Sequence, residues 1–398
     1  GGKGGGPKAT TRQYSYCISI AVGLCEGEIA RVGRIWADGT IIRKSDLNLR
    51  VYRGTKDQQP DPVMSAIEGV GHVPAYRGLA YVVIEDLDLS EFGNRVPQLT
   101  FEVIRPSRAK GVSEPLVSDL VEAVALMPGS GEFALATTPV YRTGELGAQT
   151  AVNVNSAEGK TDLLSSLDAL TGELPKCRRT SLVVSWFGDD LRAGHCRVAP
   201  KVEHQAGAGL PIGSAPVVGA DPSDWSVSGL TRGTAELVAQ KDGVSVYGGT
   251  PSDASVLEAI AALKAADQGV MFYPFILMDQ LGGDALPDPY TGMVGQPALP
   301  WRGRITSSKA LGQVGSPDGT AAATLEVASF FGGASASDFA VGAGSVSYSG
   351  PSDWGFRRFI LHNAALAAAA GGVEAFVIGS ELRGLTQIRG AAHSFPAV

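Results

Sequence analysis

Residues 242–279, DGVSVYGGTPSDASVLEAIAALKAADQGVMFYPFILMD, are the stretch whose reading decides the fold. Val244 to Tyr247 is a short apolar run, and Gly248-Gly249-Thr250-Pro251 reads as a turn. Asp253 to Ala266 has helical composition with Ser252 as N-cap, and Val270 to Met278 is an apolar strand. Strand, helix and strand in that order predict parallel pairing, because only a crossover returns the chain to run in the same direction.

The grammar repeats downstream. After a Pro- and Gly-rich loop from Gln280 to Arg304, Ala321 to Phe331 predicts a helix, and Ser352 to Ala370 predicts another that leads into a buried strand, Val373 to Ile378. Alternation of this kind fits a doubly wound sheet or a TIM barrel, and composition leaves both open.

Upstream the pattern is different. In residues 14–25, Tyr14, Tyr16, Ile18, Ile20, Val22 and Leu24 alternate with small residues, which predicts a strand with one bulky and one small face. Cys17 and Cys25 lie on the small face and are read as packing thiols. Ile29 to Trp36 and Thr40 to Arg43 flank Ala37-Asp38-Gly39, a hairpin signal, and Leu49 to Tyr52 adds a strand. Pro62 to Gly69 predicts a short helix. Leu79 to Leu87 and Leu99 to Ile104 are two more strands, joined by a long connection that must pack on its own sheet or on another subunit.

The middle predicts a helix over Leu116 to Val124, a strand over Phe133 to Tyr141, and a helix over Asp162 to Leu174 with Thr161 as cap. A β-ribbon is predicted from Thr180 to Phe187 and Arg192 to Val202. The expected organisation is a flexible glycine-rich linker at 1–13, a β-rich region with peripheral helices (α+β) at 14–204, a linker at 205–230, and an α/β part at 231–398.

Composition narrows the function classes. With 33 Lys and Arg against 40 Asp and Glu, the net charge is −7, which excludes broad unspecific binding of nucleic acid phosphates. No run is apolar long enough to span a membrane, since Ala364 to Ile378 is broken by Glu374. Four cysteines in 398 residues make no disulfide scaffold. Cys177, His195, Cys196 and His204 match no zinc spacing, and GGKGGGPK at the start lacks the strand and helix of a phosphate loop. No metal or cofactor is therefore expected.

YSYCISIAVGLCEGEIARVGRIWADG at 14–39, VYRGTKDQQPDP at 51–62 and AYRGLAYVVIEDLDLSEFGNRVPQLTFEVIRP at 75–106 resemble the baseplate hub, or tail-tip, proteins of gene transfer agents and siphophages. The stretch at 242–279 and WGFRRFILHNAALAAAAGGVEAFVIGSELRGLT at 354–386 resemble the glycosidase-like TIM-barrel domain of the same family. The resemblance implies a β-rich hub region followed by the N-terminal part of a TIM-barrel-like domain. It also implies a homotrimer at the tail tip of a virion. There it would join the distal tail protein and other hub proteins, meet the host surface or its glycans, and let DNA pass without sequence-specific contact.

Two carboxyl groups carry the enzymatic alternative, a glycoside hydrolase acting on surface polysaccharide or peptidoglycan. Glu381 follows the strand ending at Ile378 and Asp279 follows the strand ending at Met278, so both fall at C-terminal strand ends, where a barrel keeps its chemistry. Such hydrolysis needs one protonated and one ionised carboxyl group roughly 5–10 Å apart. The alternative reading pairs Glu381 with Arg383 and makes Asp279 a surface turn residue. Trp186, Trp225, Trp301 and Trp354 are read as packing residues before sugar-stacking ones, and His362 as structural.

Overall fold

The computed structural model describes residues 16–105, 115–143, 149–156, 159–205, 225–342 and 346–392. The glycine-rich segment 1–13 and most of the stretch read as a linker at 205–230 lie outside them. The chain forms two compact units, residues 1–116 with 156–159, and 117–155 with 160–398. The division therefore falls near Leu116 and not in the 205–230 stretch, because strands on both sides of that stretch share one sheet.

Among the described residues of the first unit the strands pair antiparallel, with one short α-helix and two 3₁₀ turns between them. Its strands are β1 (Cys17–Glu26), β2 (Arg31–Ala37), β3 (Thr40–Ile42), β4 (Asn48–Arg53), β5 (Leu79–Asp88) and β6 (Leu99–Ile104), with helix α1 (Pro62–Glu68) between β4 and β5. They form two sheets, ordered β1-β5-β4 and β3-β2-β6. Val32 and Ile35 from one sheet, with Ile29 just before β2, meet Ala80 and Val82 from the other, so the sheets close on a shared core. β5 is central, and Ala80 to Ile84 are buried along both of its faces. The β2–β3 turn has Asp38 at φ 50° and Gly39 at φ 83°, the paired positive values that a two-residue Asp-Gly hairpin requires.

The connection from β5 to β6 packs on its own unit. Leu89 is buried with Ile84 and Leu87, and Arg95 donates to Asp38 in the hairpin turn at 2.7 Å. β5 and β6 do not pair; each enters a different sheet. Asp61 caps α1 by accepting from the Val63 and Met64 N–H groups at 2.9 Å, and its other oxygen accepts from Arg50 and Tyr52. Burial raises the Asp61 pKa, but the Arg50 and backbone donors outweigh it and hold the carboxyl below its ordinary value.

The second unit is mixed α/β. Four strands, β7 (Ala123–Gly129), β8 (Arg179–Gly188), β9 (Gly269–Met278) and β10 (Ala375–Phe376), pair in parallel and in chain order. Helices α2 (Asp162–Glu173), α3 (Asp253–Ala265), α4 (Ala321–Phe331) and α5 (Phe356–Ala369) lie between them in sequence. One parity of side chains, Leu182 and Val184 of β8 with Val270 and Phe272 of β9, is buried among Leu163 of α2, Ile260 and Leu263 of α3 and Leu366 of α5. Trp186 and Ile276, of the same parity, pack with Val327 and Phe330 of α4. Strand order without reversal, and helices on one face, follow the winding of a TIM barrel. Among the described residues the sheet stays open, with no closed barrel.

Several local expectations change. Residues 116–124 form a single 3₁₀ turn, Val117–Asp119, and then enter β7, because the run AVALMPG has a parallel partner in β8. Phe133 to Tyr141 is a chain of turns, and the strand begins only at Tyr141–Thr143. The predicted ribbon survives only at Phe187 and Gly188, which pair with Val198 and Ala199, since β8 is occupied on both sides by β7 and β9. Val244–Ser245 turns back on Gln240–Lys241, so the first strand of the strand-helix-strand unit is β8. Ser252 does cap α3, accepting from the Ser255 N–H at 3.2 Å, whereas the Thr161 side chain makes no cap bond to α2.

Candidate functional site

The C-terminal ends of the parallel strands collect acidic residues: Glu132 after β7, Asp189 and Asp190 after β8, Asp279 after β9 and Glu381 after β10. Most of them are tied down. Glu132, 3% exposed, accepts from the Glu203 N–H at 2.6 Å and from Arg232. Asp190 grips Arg192 at 2.6 Å and accepts from Gln296 at 2.7 Å, and these donors overcome burial and lower its pKa. Burial pushes Asp189 the other way, upward, against the Arg197 N–H that it accepts at 2.8 Å.

Asp279 is 1% exposed, so it is not a surface turn residue. Lys201 Nζ donates to both its oxygens at 2.9 Å, and the Ala239 N–H adds a bond at 3.0 Å to Oδ2. The pair joins the strand end to two distant segments, and Asp279 also helps burial to raise the Tyr247 pKa. Both oxygens of this buried carboxylate are engaged, and the Lys201 ammonium neutralises its charge.

Glu381 differs in exposure and in backbone conformation. Its side chain is 52% exposed, and its backbone sits at φ 55°, in the left-handed region that few non-glycine residues adopt. Its Oε2 accepts from Trp301 Nε1 at 2.6 Å and faces Arg302 Nη2 at 3.1 Å, so its partner is Arg302 and not Arg383. Arg302 is buried, lies 3.5 Å over the Phe275 ring, and donates to the Ser380 carbonyl at 3.2 Å and hydroxyl at 3.0 Å. Burial lowers the Arg302 pKa, with Glu381 and Tyr273 pulling against it. Tyr273 and Phe275 have the β9 parity opposite to the helix-covered one, so this cluster occupies the face that the helices leave open.

Glu381 and Asp279 share no hydrogen-bond or ion-pair partner. Sequence reasoning reached Glu381 through its strand end but missed Trp301 and Arg302 as its neighbours. The one available signal was an aromatic and a cation together, Pro300-Trp301-Arg302, inside a loop with no period.

The other candidates are structural in their surroundings. Cys177 and Cys196 are buried, and burial drives the Cys196 thiol upward. Among the described residues no group of three or more His, Cys, Asp and Glu is arranged to hold a metal, and no helix is long and apolar enough to cross a membrane. Trp186 and Trp225 are core residues at 2% and 1% exposure. His362, fully buried, meets Asp253 Oδ1 at 2.9 Å through Nε2 and packs on Trp186.

Parallel strands wound in chain order with helices on one face and acidic residues at the strand ends define a TIM-barrel-like α/β unit. Consistent with this, residues 354–398 match a family model described as the GTA TIM-barrel-like domain. A chain in the solved structure "Virion of native gene transfer agent (GTA) particle" is 58% identical over 29% of this chain and 27% of that chain, with a TM-score of 0.27. The match thus spans about a quarter of that chain's length. No curated protein matches this one.

Proposed function

We propose that this protein is a structural component of a gene transfer agent or related siphophage-type particle, acting as a baseplate hub at the tail tip. The observation that carries this reading is the match of residues 354–398 to the GTA TIM-barrel-like domain. The sequence resemblance of residues 14–106 to tail-tip hub proteins supports it independently of that segment. In this reading three copies close the tail tube, bind the distal tail protein and other hub proteins, and take part in host attachment, envelope penetration and DNA delivery. The acidic balance suits a wall past which DNA slides without adhering.

Deleting the coding sequence is expected to leave filled heads and to abolish DNA transfer, measured as donor-marker acquisition by recipient cells. Unchanged transfer from the deletion strain would remove the reading.

A second reading, glycoside hydrolysis at the strand ends, is favoured by one feature, the half-exposed and left-handed Glu381. It requires a second carboxyl within reach, and the engagement of Asp279 by Lys201 leaves that role to another residue.

A further inference from the structure

Trp301 is 46% exposed, and the geometry around it indicates which part is open. A Cβ added to Gly303 would lie 2.4, 2.5 and 2.6 Å from Cζ2, Cη2 and Cε2 of the indole. A point beyond the ring edge would be near one of these atoms and much farther from its two neighbours. Nearly equal distances put the Gly303 backbone over the face of the six-membered ring. One face of the indole is therefore covered by the Gly303 backbone, and no other ring or guanidinium among the described residues stacks on Trp301, which leaves the second face as the one a ligand would use.

The rim of this platform is polar. The indole N–H and Arg302 both engage Glu381 Oε2, and no donor among the described residues reaches Oε1. Arg302 is fixed by its stacking on Phe275 and its bonds to Ser380, so its charge is already committed. The left-handed backbone of Glu381 costs on the order of 1 kcal/mol, and strain of this kind is retained where a side chain must be aimed.

We propose that Trp301 and Glu381 form a binding subsite for one pyranose unit of a neutral polysaccharide. The C–H face of the sugar lies on the open indole face, and a ring hydroxyl donates to Glu381 Oε1. The unit is neutral because an acceptor-only oxygen repels a sugar carboxylate, and Arg302 has no charge to spare for it. The inference rests on the strand-end carbohydrate reading, but it requires binding only and no second carboxyl.

The test is a ligand-observed NMR titration of the full chain with chitotetraose, cellotetraose and, as the acidic comparator, tetragalacturonate. At least one neutral tetramer is expected to bind saturably, at about millimolar Kd, and the acidic one not at all. Trp301→Ala should weaken binding by about tenfold or more. Gly303→Ala should do the same, because its new methyl group would lie closest to the indole ring, at 2.4–2.6 Å, and displace it. Glu381→Gln should admit tetragalacturonate. Circular dichroism and thermal midpoints check that each variant is folded, and Gly303→Ala serves if Trp301→Ala is not. Failure of both neutral tetramers to bind, or wild-type affinity in a folded Trp301→Ala or Gly303→Ala variant, overturns the proposal and leaves the virion reading standing. Bound sugar without shortened products in the same spectra supports the subsite and removes hydrolysis.

Discussion

Replacing Asp279 with alanine is expected to destabilise the second unit by about 3–5 kcal/mol, because it strips the buried Lys201 ammonium of its hydrogen-bonded carboxylate and leaves it only the more distant charge of Asp189. The side chains of the pair are 2% and 10% exposed, so water cannot take the place of the lost carboxylate. Replacing both together, Asp279→Leu with Lys201→Met, should cost far less than the single change, since no charge is then stranded. Denaturant unfolding followed by tryptophan fluorescence reads the effect, as Trp186, Trp225, Trp301 and Trp354 lie in this unit and only Trp36 in the other. A single variant as stable as the parent would show that the pair contributes nothing to the fold and would return Asp279 to the list of chemical candidates.

The second large effect is expected at Arg358. This guanidinium is 6% exposed and makes no ion pair among the described residues; it lies 3.5 Å from the Trp354 ring and 3.7 Å from the Tyr348 ring. It donates to the Ser228 hydroxyl at 3.2 Å and to the carbonyls of Ser228 at 2.8 Å and Asp353 at 3.3 Å. Burial lowers its pKa to about 10, with Tyr348 and Asp353 opposing, so it stays charged at neutral pH. Arg358→Ala removes the filling of an aromatic slot and strands two carbonyls, for an expected loss of about 3 kcal/mol. Arg358→Lys should recover little of it, because a compact ammonium cannot stack on both rings and reach three acceptors. Equal stability of the lysine variant and the parent, in the same unfolding measurement, would contradict this account.

Local chemistry was legible wherever a few neighbouring residues determine it. The Asp38-Gly39 hairpin, the Asp61–Pro62 start of α1 and the Ser252 cap of α3 all follow from side chains acting within four residues. The sheet was not. β8 read as part of a ribbon because a strand buried on both faces loses the period of two that marks it, and β7 read as a helix because Val124 continued the spacing of Leu116, Leu120 and Val121 across the 3₁₀ turn. Their partners lie far off in sequence, as Arg179 beside Gly269 illustrates. The site divides in the same way. A carboxyl at a strand end is visible in sequence, but the bond from Trp301 to Glu381 spans 80 positions and the Lys201–Asp279 pair spans 78. No local pattern encodes such contacts.

The central claim is a position in a particle, and electron cryomicroscopy of intact particles carrying a small tag in this chain tests it most directly. The account predicts tag density at the distal end of the tail, in three symmetry-related copies. Tag density on the head or along the tail tube, or particles from which the chain is absent, would contradict it.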